Sequence, residues 1–359
     1  MELTSTHTRL GVVLASDGSA SEIEGVLNPG IARDRNGGLL MYPRVVAEGN
    51  VSRIGIAKGD ERDDTVTFER IGHVLEPETP YELRAGGHGC EDARVTFVPR
   101  LNTYVMPYTA FGDAGPRIAL ALSDDGYSWR RLGLVEFLDS ALNRRDNKDA
   151  AFFPEPVLSP AGVLSFAFYH RPMLPGSVNG QTPIPVILAL DPSQREIMHL
   201  AYVPVAHVER DMSALCRAHE SVEVLGVDRR WGWLKNGAGT PPVRSPHGWL
   251  SFFHGVDATE RDGRPALLYR AGMVVHDIER PHKIVYRSPH PVLGPVTPDE
   301  RFGIVDDVVF PTGLDVRADG SYDVYYGAAD AKIALARFNI DFKGEAPLDG
   351  KTMECQATI

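Results

Sequence analysis

"GSYDVYYGAADAKIALA", residues 320–336, contains both of the patterns that decide the fold. A turn residue opens it, a short run ending in aromatics follows, and a second apolar run comes after a brief break. Two strands joined by a turn meet that pattern; a helix does not. The first half recurs as "NGGLLMYPR" around Tyr42, "NTYVMPYT" around Tyr108, "GVLSFAFYHR" around Tyr169 and "GWLSFFHG" around Phe253. Counting on to Tyr326, the intervals are 66, 61, 84 and 73 residues. The second half, "AKIALA" from Ala331, recurs as "SRIGIA" from Ser52 and "PRIALA" from Pro116, each with a basic residue ahead of Ile. The 35 glycines and 27 prolines interrupt helical periodicity nearly everywhere, and only "SALCRAHE" near residue 213 reads as a short helix. Repeats this long, each with room for several strands, predict the blades of a propeller rather than the coils of a solenoid. The expectation is therefore an all-β, five-bladed β-propeller with residues 1–359 as a single domain. Two consecutive β-sandwiches fit less well, because the two repeats interleave along the chain instead of restarting at a linker.

Composition narrows the function classes. A formal charge of −11 gives neither nucleic acid nor an anionic membrane any long-range attraction. Cys90, Cys216 and Cys355 are far apart and odd in number, which suits neither a zinc site nor a disulfide framework. "MELTSTHTRLGVVLASDGSA" lacks the apolar core of a signal peptide and no later stretch approaches a membrane span, so a cytoplasmic location is expected. No GxGxxG or Walker loop suggests a nucleotide. Twelve histidines without an HExxH pair, and acids without calcium-loop spacing, suggest no metal. No cofactor is expected.

In a propeller, residues distant in sequence meet where the inner strands converge. "GHGCEDARVTFV" (87–98) is the segment with the most chemistry. Read as extended chain, it puts Glu91 and Asp92 on opposite faces and Asp92 on the side of Arg94. A carboxyl aimed into a channel is what a general acid needs, and an Asp–Arg pair closing a turn fits the same local pattern. Basic residues recur at strand ends. Arg44 and Arg171 end aromatic strands, Arg53 and Arg117 open the second repeat, Lys148 stands in "NKDAAFFPEP", and His170 precedes Arg171. Brought together, such cations would hold a small dianion such as phosphate. "NGAGTPPV" (236–243) and "GAAD" (327–330) leave room for backbone to approach a ligand.

From "LNPG" at Leu27 to Ala336, through "SRIGIA", "GCEDAR", "PRIALALSDDGYSW", "NKDAAFFPE", "FYHRP", "GWLSFFHGV" and "VVFPTG", the chain resembles glycoside hydrolase family 130. Its members are five-bladed propellers and mostly inverting β-mannoside phosphorylases. The resemblance implies Asp92 as general acid, its proton reaching the glycosidic oxygen directly or through a sugar hydroxyl. It implies Arg117, Lys148 and His170 as phosphate ligands, with Arg53 beside them. Asn28, Arg44 and Asp330 would hold the mannosyl unit, with Ser52 belonging to either group. Arg94, on Asp92's side of the strand, and Arg171, at a strand end, are read as further substrate contacts. The family's "EDPR" is "EDAR" here, which relaxes the backbone beside Asp92 and removes no reacting group.

One acid and several cations suit phosphorolysis. An inverting hydrolase needs a carboxylate base to activate water, whereas phosphate is already an anionic nucleophile and needs only alignment. The partners implied are a β-mannoside oligosaccharide and inorganic phosphate, the latter as co-substrate; a homo-oligomer is left open. An inverting β-mannosidase on the same fold and a non-catalytic sugar-binding propeller are the alternatives. The linkage and the acceptor sugar are not legible, because loops at the channel mouth decide them.

Overall fold

The computed structural model describes residues 2–62, 65–177, 181–261 and 263–343. Strands dominate, and the longest helix among the described residues is the five-residue Ile184–Leu188. The strands form sheets of four, nine, two, five and five members. One up-and-down antiparallel run recurs through them. It is Gly25–Arg33, Leu39–Ala47, Val51–Arg62, Thr65–Leu75; then His88–Glu91, Thr103–Gly112, Gly115–Ser123, Arg130–Leu134. It continues as Asn147–Phe152, Leu164–Pro172, Met198–Pro204, Glu220–Leu225, and as Lys235–Ala238, Gly248–Arg261, Arg264–His276, Ile284–Arg287. The last run is Val309–Val316, Tyr322–Ala328 and Lys332–Lys343, completed by Glu2–Ala15 from the other end of the chain, paired from Glu2↔Lys343 to Ala15↔Lys332.

Each aromatic copy is the second strand of its run, and each basic–Ile copy is the third. The marker aromatics Tyr42, Tyr108, Tyr169, Phe253 and Tyr326 are all buried, each contributing roughly 1.5–3 kcal/mol by leaving water. The hydroxyls of the four tyrosines all have partners, as most buried polar groups do. Tyr42 donates to Gly126 O (2.7 Å), and Tyr169 meets His276 Nε2 (2.8 Å). Tyr108 and Tyr326 donate to Glu82 (2.6 Å) and Glu300 (2.8 Å). These two buried acids belong to a repeated device. In "TPYE" (79–82) and "TPDE" (297–300) the glutamate closes a capping box with its threonine and also accepts from an arginine of the fourth strand, Arg131 in one case and Arg9 in the other. The first device anchors the segment that leads into Glu91 and Asp92.

One expected element differs. The helix anticipated at "SALCRAHE" is a single tight turn, Met212–Cys216, after which Arg217–Ala218 pairs in parallel with Glu136–Phe137. Leu215, Cys216 and Ala218 are all buried in one apolar cluster. That burial and the strand pairing outweigh a second helical turn, which a segment this short cannot sustain alone. Cys90 and Cys216 are buried free thiols; Cys355 lies outside the described residues.

Candidate active site

Residues of first and second strands, of the third strand Arg264–His276 and of one hairpin turn surround a cavity of about 410 Å³. Asn28, Arg44, Glu91, Asp92, Lys148, Asp149, Arg171, Lys235, His254, Tyr269 and Asp330 line it, with Gln181–Ile184, Leu267, Val305, Val308 and Phe310 closing its sides. A second hollow of about 660 Å³ adjoins it, sharing Arg44, Glu91, Lys148, Gln181, Val305 and Asp330.

A left-handed backbone conformation recurs among the lining residues. Asn28 (φ 45°), Asp92 (φ 50°) and Asp149 (φ 62°) each sit in or just after the first strand of successive runs. The ladder register shifts between Leu27 and Gly30 and between Lys148 and Ala151. Asn and Asp tolerate this conformation better than other side chains. At Asp92 it breaks the alternation of the strand, which corrects the extended-chain expectation: Glu91 and Asp92 line the same cavity.

The two acids are held from one side by Arg44. Its Nη2 donates to Glu91 Oε1 (2.9 Å), its Nη1 lies 3.4 Å from Asp92 Oδ1, and its Nε donates to Ser52 Oγ (2.9 Å). Asn28 Nδ2 donates to the same Asp92 oxygen at 2.9 Å. Asp92 is only 8% exposed. Asp330, at the hairpin turn of the opening motif, also has φ 50°. Burial pushes its carboxyl up to about 6, Arg44 opposing and Asp92 adding to the shift. Burial likewise raises Glu91, against the pull of Arg44.

The opposite side of the cavity is a buried ionic network. Arg171 Nε donates to Asp149 Oδ2 (2.6 Å) and its Nη1 to Glu196 Oε2 (2.6 Å). Burial works against the Asp149 charge, but the guanidiniums of Arg171 and Arg94 outweigh it and hold the carboxyl below its usual range. His254 presents Nδ1 to Ala238 O (3.1 Å), and burial pulls it down to about 3, so it is neutral at neutral pH. Burial lowers Lys235 to about 8; its ammonium donates to Gln181 Oε1 (3.2 Å) and lies 5.9 Å from the Tyr269 ring centre. Gly237 makes the arrangement possible: a Cβ there would lie 2.6 Å from Asp149 Oδ2 and 2.8 Å from Arg171 Nε. The close backbone approach expected at "NGAGTPPV" is thus to this network.

Of the expected residues, Asn28, Arg44, Asp92, Lys148, Arg171 and Asp330 come together in the cavity lining. Ser52 stands behind Arg44 as its hydrogen-bond partner. Arg94 is fully buried beneath the acid, donating to Asp92 O (2.8 Å) and Gly239 O (3.2 Å). Arg53, Arg117 and His170 are not in the lining. Arg53 pairs with Glu76 (3.0 Å). Arg117 pairs with Asp146 (3.0 Å) and lines a separate crevice of about 200 Å³. His170 is enclosed, with Asn147 on Nδ1, Ser221 Oγ at 2.8 Å on Nε2 and Phe137 against its ring. Alternation explains two of these placements: Arg171 faces the cavity, so neighbouring His170 cannot, and Ser52 faces Arg44, so Arg53 points away.

Asp149, Lys235, His254, Tyr269 and Glu196 were not singled out from the sequence. Asp149 had a signal, since "LNPG", "EDAR" and "KDAA" share an Asn or Asp at the same strand position. His254 had one too, since it directly follows the aromatic pair of "GWLSFFHG" in strand Gly248–Arg261. Glu196 and Gln181 had none.

Acids and cations thus face one another across a cavity walled by Tyr, Phe and Leu. The family described as beta-1,4-mannooligosaccharide phosphorylase matches residues 215–342. Among curated relatives, a 1,2-beta-oligomannan phosphorylase of Thermoanaerobacter sp. (strain X514) is 30% identical over 290 residues, 80% of this chain and 78% of the relative. A beta-1,2-mannobiose phosphorylase of the same strain is 31% identical over 80% of this chain and 76% of its own length. The solved beta-1,2-mannobiose phosphorylase from Listeria innocua superposes with a TM-score of 0.68 at 22% identity, over 92% of this chain and 96% of that one, a likeness of fold. The chain belongs to glycoside hydrolase family 130. Among the described residues, no helix is long and apolar enough to cross a membrane.

Proposed function

We propose that the chain is an inverting β-mannoside phosphorylase, cleaving a β-mannosidic bond with inorganic phosphate to give α-mannose 1-phosphate. The observation that carries this reading is the convergence of Asp92, fixed by Asn28 and Arg44, with Lys148 and Lys235 in one cavity. In this reading the five four-strand runs are the blades of one propeller and act as a single catalytic domain. Asp92 protonates the departing glycosidic oxygen, directly or through a sugar hydroxyl, as phosphate forms its bond to the anomeric carbon from the opposite face. The proton lost by phosphate passes to solvent, from which Asp92 is recharged, so the reaction balances without a base. Asn28, Arg44 and Asp330 hold the mannosyl unit. Lys148 is the cation of the expected phosphate set that this reading retains, aided by Lys235; Arg53, Arg117 and His170 stay with Glu76, Asp146 and Ser221. A product that keeps its energy as a charged sugar phosphate suits an enzyme of the cytoplasm.

Asp330 favours a second reading. A further carboxyl in the same cavity is what an inverting β-mannosidase would use as base. Cleavage of β-mannobioses with and without added phosphate separates the two. The phosphorylase reading expects phosphate-dependent mannose 1-phosphate, abolished in Asp92→Asn; equal release of mannose in phosphate-free buffer would refute it.

A further inference from the structure

Glu196 is 1% exposed and does not line the cavity, yet two of the cavity's surfaces are attached to it. Its Oε2 accepts from Arg171, which lines the floor and clamps Asp149. Its Oε1 accepts from Leu174 N (3.2 Å) and from the Thr182 hydroxyl. Thr182 opens the 182–188 segment, whose Thr182, Pro183 and Ile184 form one wall of the cavity and whose Ile187 is packed against Leu234 and Val256. The carbonyl of Glu196 also accepts from Asn236 N (3.1 Å), next to Lys235, and Lys235 in turn donates to Gln181 on the wall. One buried carboxylate therefore joins floor and wall, with a different oxygen for each. A buried charge is retained only where all its partners are in place, so neither surface can shift without cost to the other.

We propose that Glu196 is a positioning residue that keeps the 182–188 wall in register with the Arg171–Asp149 floor and so sets the affinity for the sugar held between them. Its kinetic consequences rest on the phosphorylase reading; its structural consequence does not. Thr182→Val keeps the shape of the side chain and removes only its donor, leaving Arg171 and Leu174 bonded to Glu196. The expected result is a mannoside KM about tenfold higher, as for loss of a hydrogen bond to a charged group, with kcat within twofold of wild type. Exchange of the Ile187 amide, bonded to Pro183 O at 3.2 Å, should accelerate in the same variant. Thr182→Ser should restore both. Because Glu196 touches no substrate, Glu196→Ala, which leaves Thr182 no acceptor there, tests the route: if Thr182 acts through Glu196, the double variant Thr182→Val/Glu196→Ala has the KM of Glu196→Ala alone. Multiplying effects would mean that Thr182 contacts the sugar directly and would overturn the proposal. So would KM and Ile187 exchange within twofold of wild type in Thr182→Val. Hydrogen exchange needs no turnover, so a chain that failed to phosphorolyse any mannoside would still decide the structural arm.

Discussion

Gly327→Ala probes Asp92 from a position outside the cavity lining, through Asn28. Gly327 lies in strand Tyr322–Ala328, against Asn28, and a Cβ there would stand 2.1 Å from Asn28 Oδ1. Ordinary contact begins near 3.4 Å, so the amide must retreat by 3.4 − 2.1 = 1.3 Å. The Asn28 Nδ2–Asp92 Oδ1 bond is 2.9 Å, and a retreat of that size directed away from Asp92 takes it beyond hydrogen-bond range. A buried hydrogen bond to a charged group contributes about 1.5–3 kcal/mol. If the bond acts in the transition state, kcat/KM should therefore fall by roughly 10- to 150-fold. The assay is initial-rate release of mannose 1-phosphate from a β-mannobiose at saturating phosphate, with thermal melting as the control for folding. Asn28→Gly in the same background removes the collision while leaving the bond absent, so it should recover stability and not rate. A Gly327→Ala enzyme with a wild-type melting temperature and kcat/KM within twofold of wild type would show that Asn28 does not position Asp92.

Two further outcomes follow from the charges. Asp330 titrates near 6 in the folded protein against 3.8 ordinarily, so between those values the folded state binds the extra proton. The stability this supplies is present at low pH and lost as pH rises through about 6; Asp330→Asn should raise the melting temperature at pH 8 and leave it little changed at pH 4. Arg171→Met removes the guanidinium that bonds both buried acids, leaving Asp149 with the more distant Arg94 (3.9 Å) and Glu196 with neutral donors alone. It should cost about 3–5 kcal/mol in urea unfolding, with the loss shrinking at low pH where the acids protonate.

Two recurring strands were legible because alternation and turn residues are local properties: the aromatic copies mark the second strand all five times, and the basic–Ile copies mark the third strand in three runs. The site was legible in part. Asp92, Asn28, Arg44, Lys148 and Asp330 are near strand ends, where a propeller expectation places function. His170 and Arg53 were misleading for one physical reason: adjacent residues on a strand face opposite ways, and the sequence does not say which of "HR" or "SR" faces inward. The reverse error occurred at "ED", where a left-handed Asp92 lets two neighbours face the same cavity; φ is a backbone property with no unambiguous spelling in residue types.

By itself, the sequence determined the all-β class, the repeated strand pattern and the family resemblance, all of which reside in short-range patterns. Only the tertiary structure decided which cations share a cavity with Asp92, and that Asp149, Lys235, His254 and Glu196 join floor to wall. Those associations connect residues tens to hundreds of positions apart, and their cost or benefit exists only once burial has removed the water that would otherwise screen each charge.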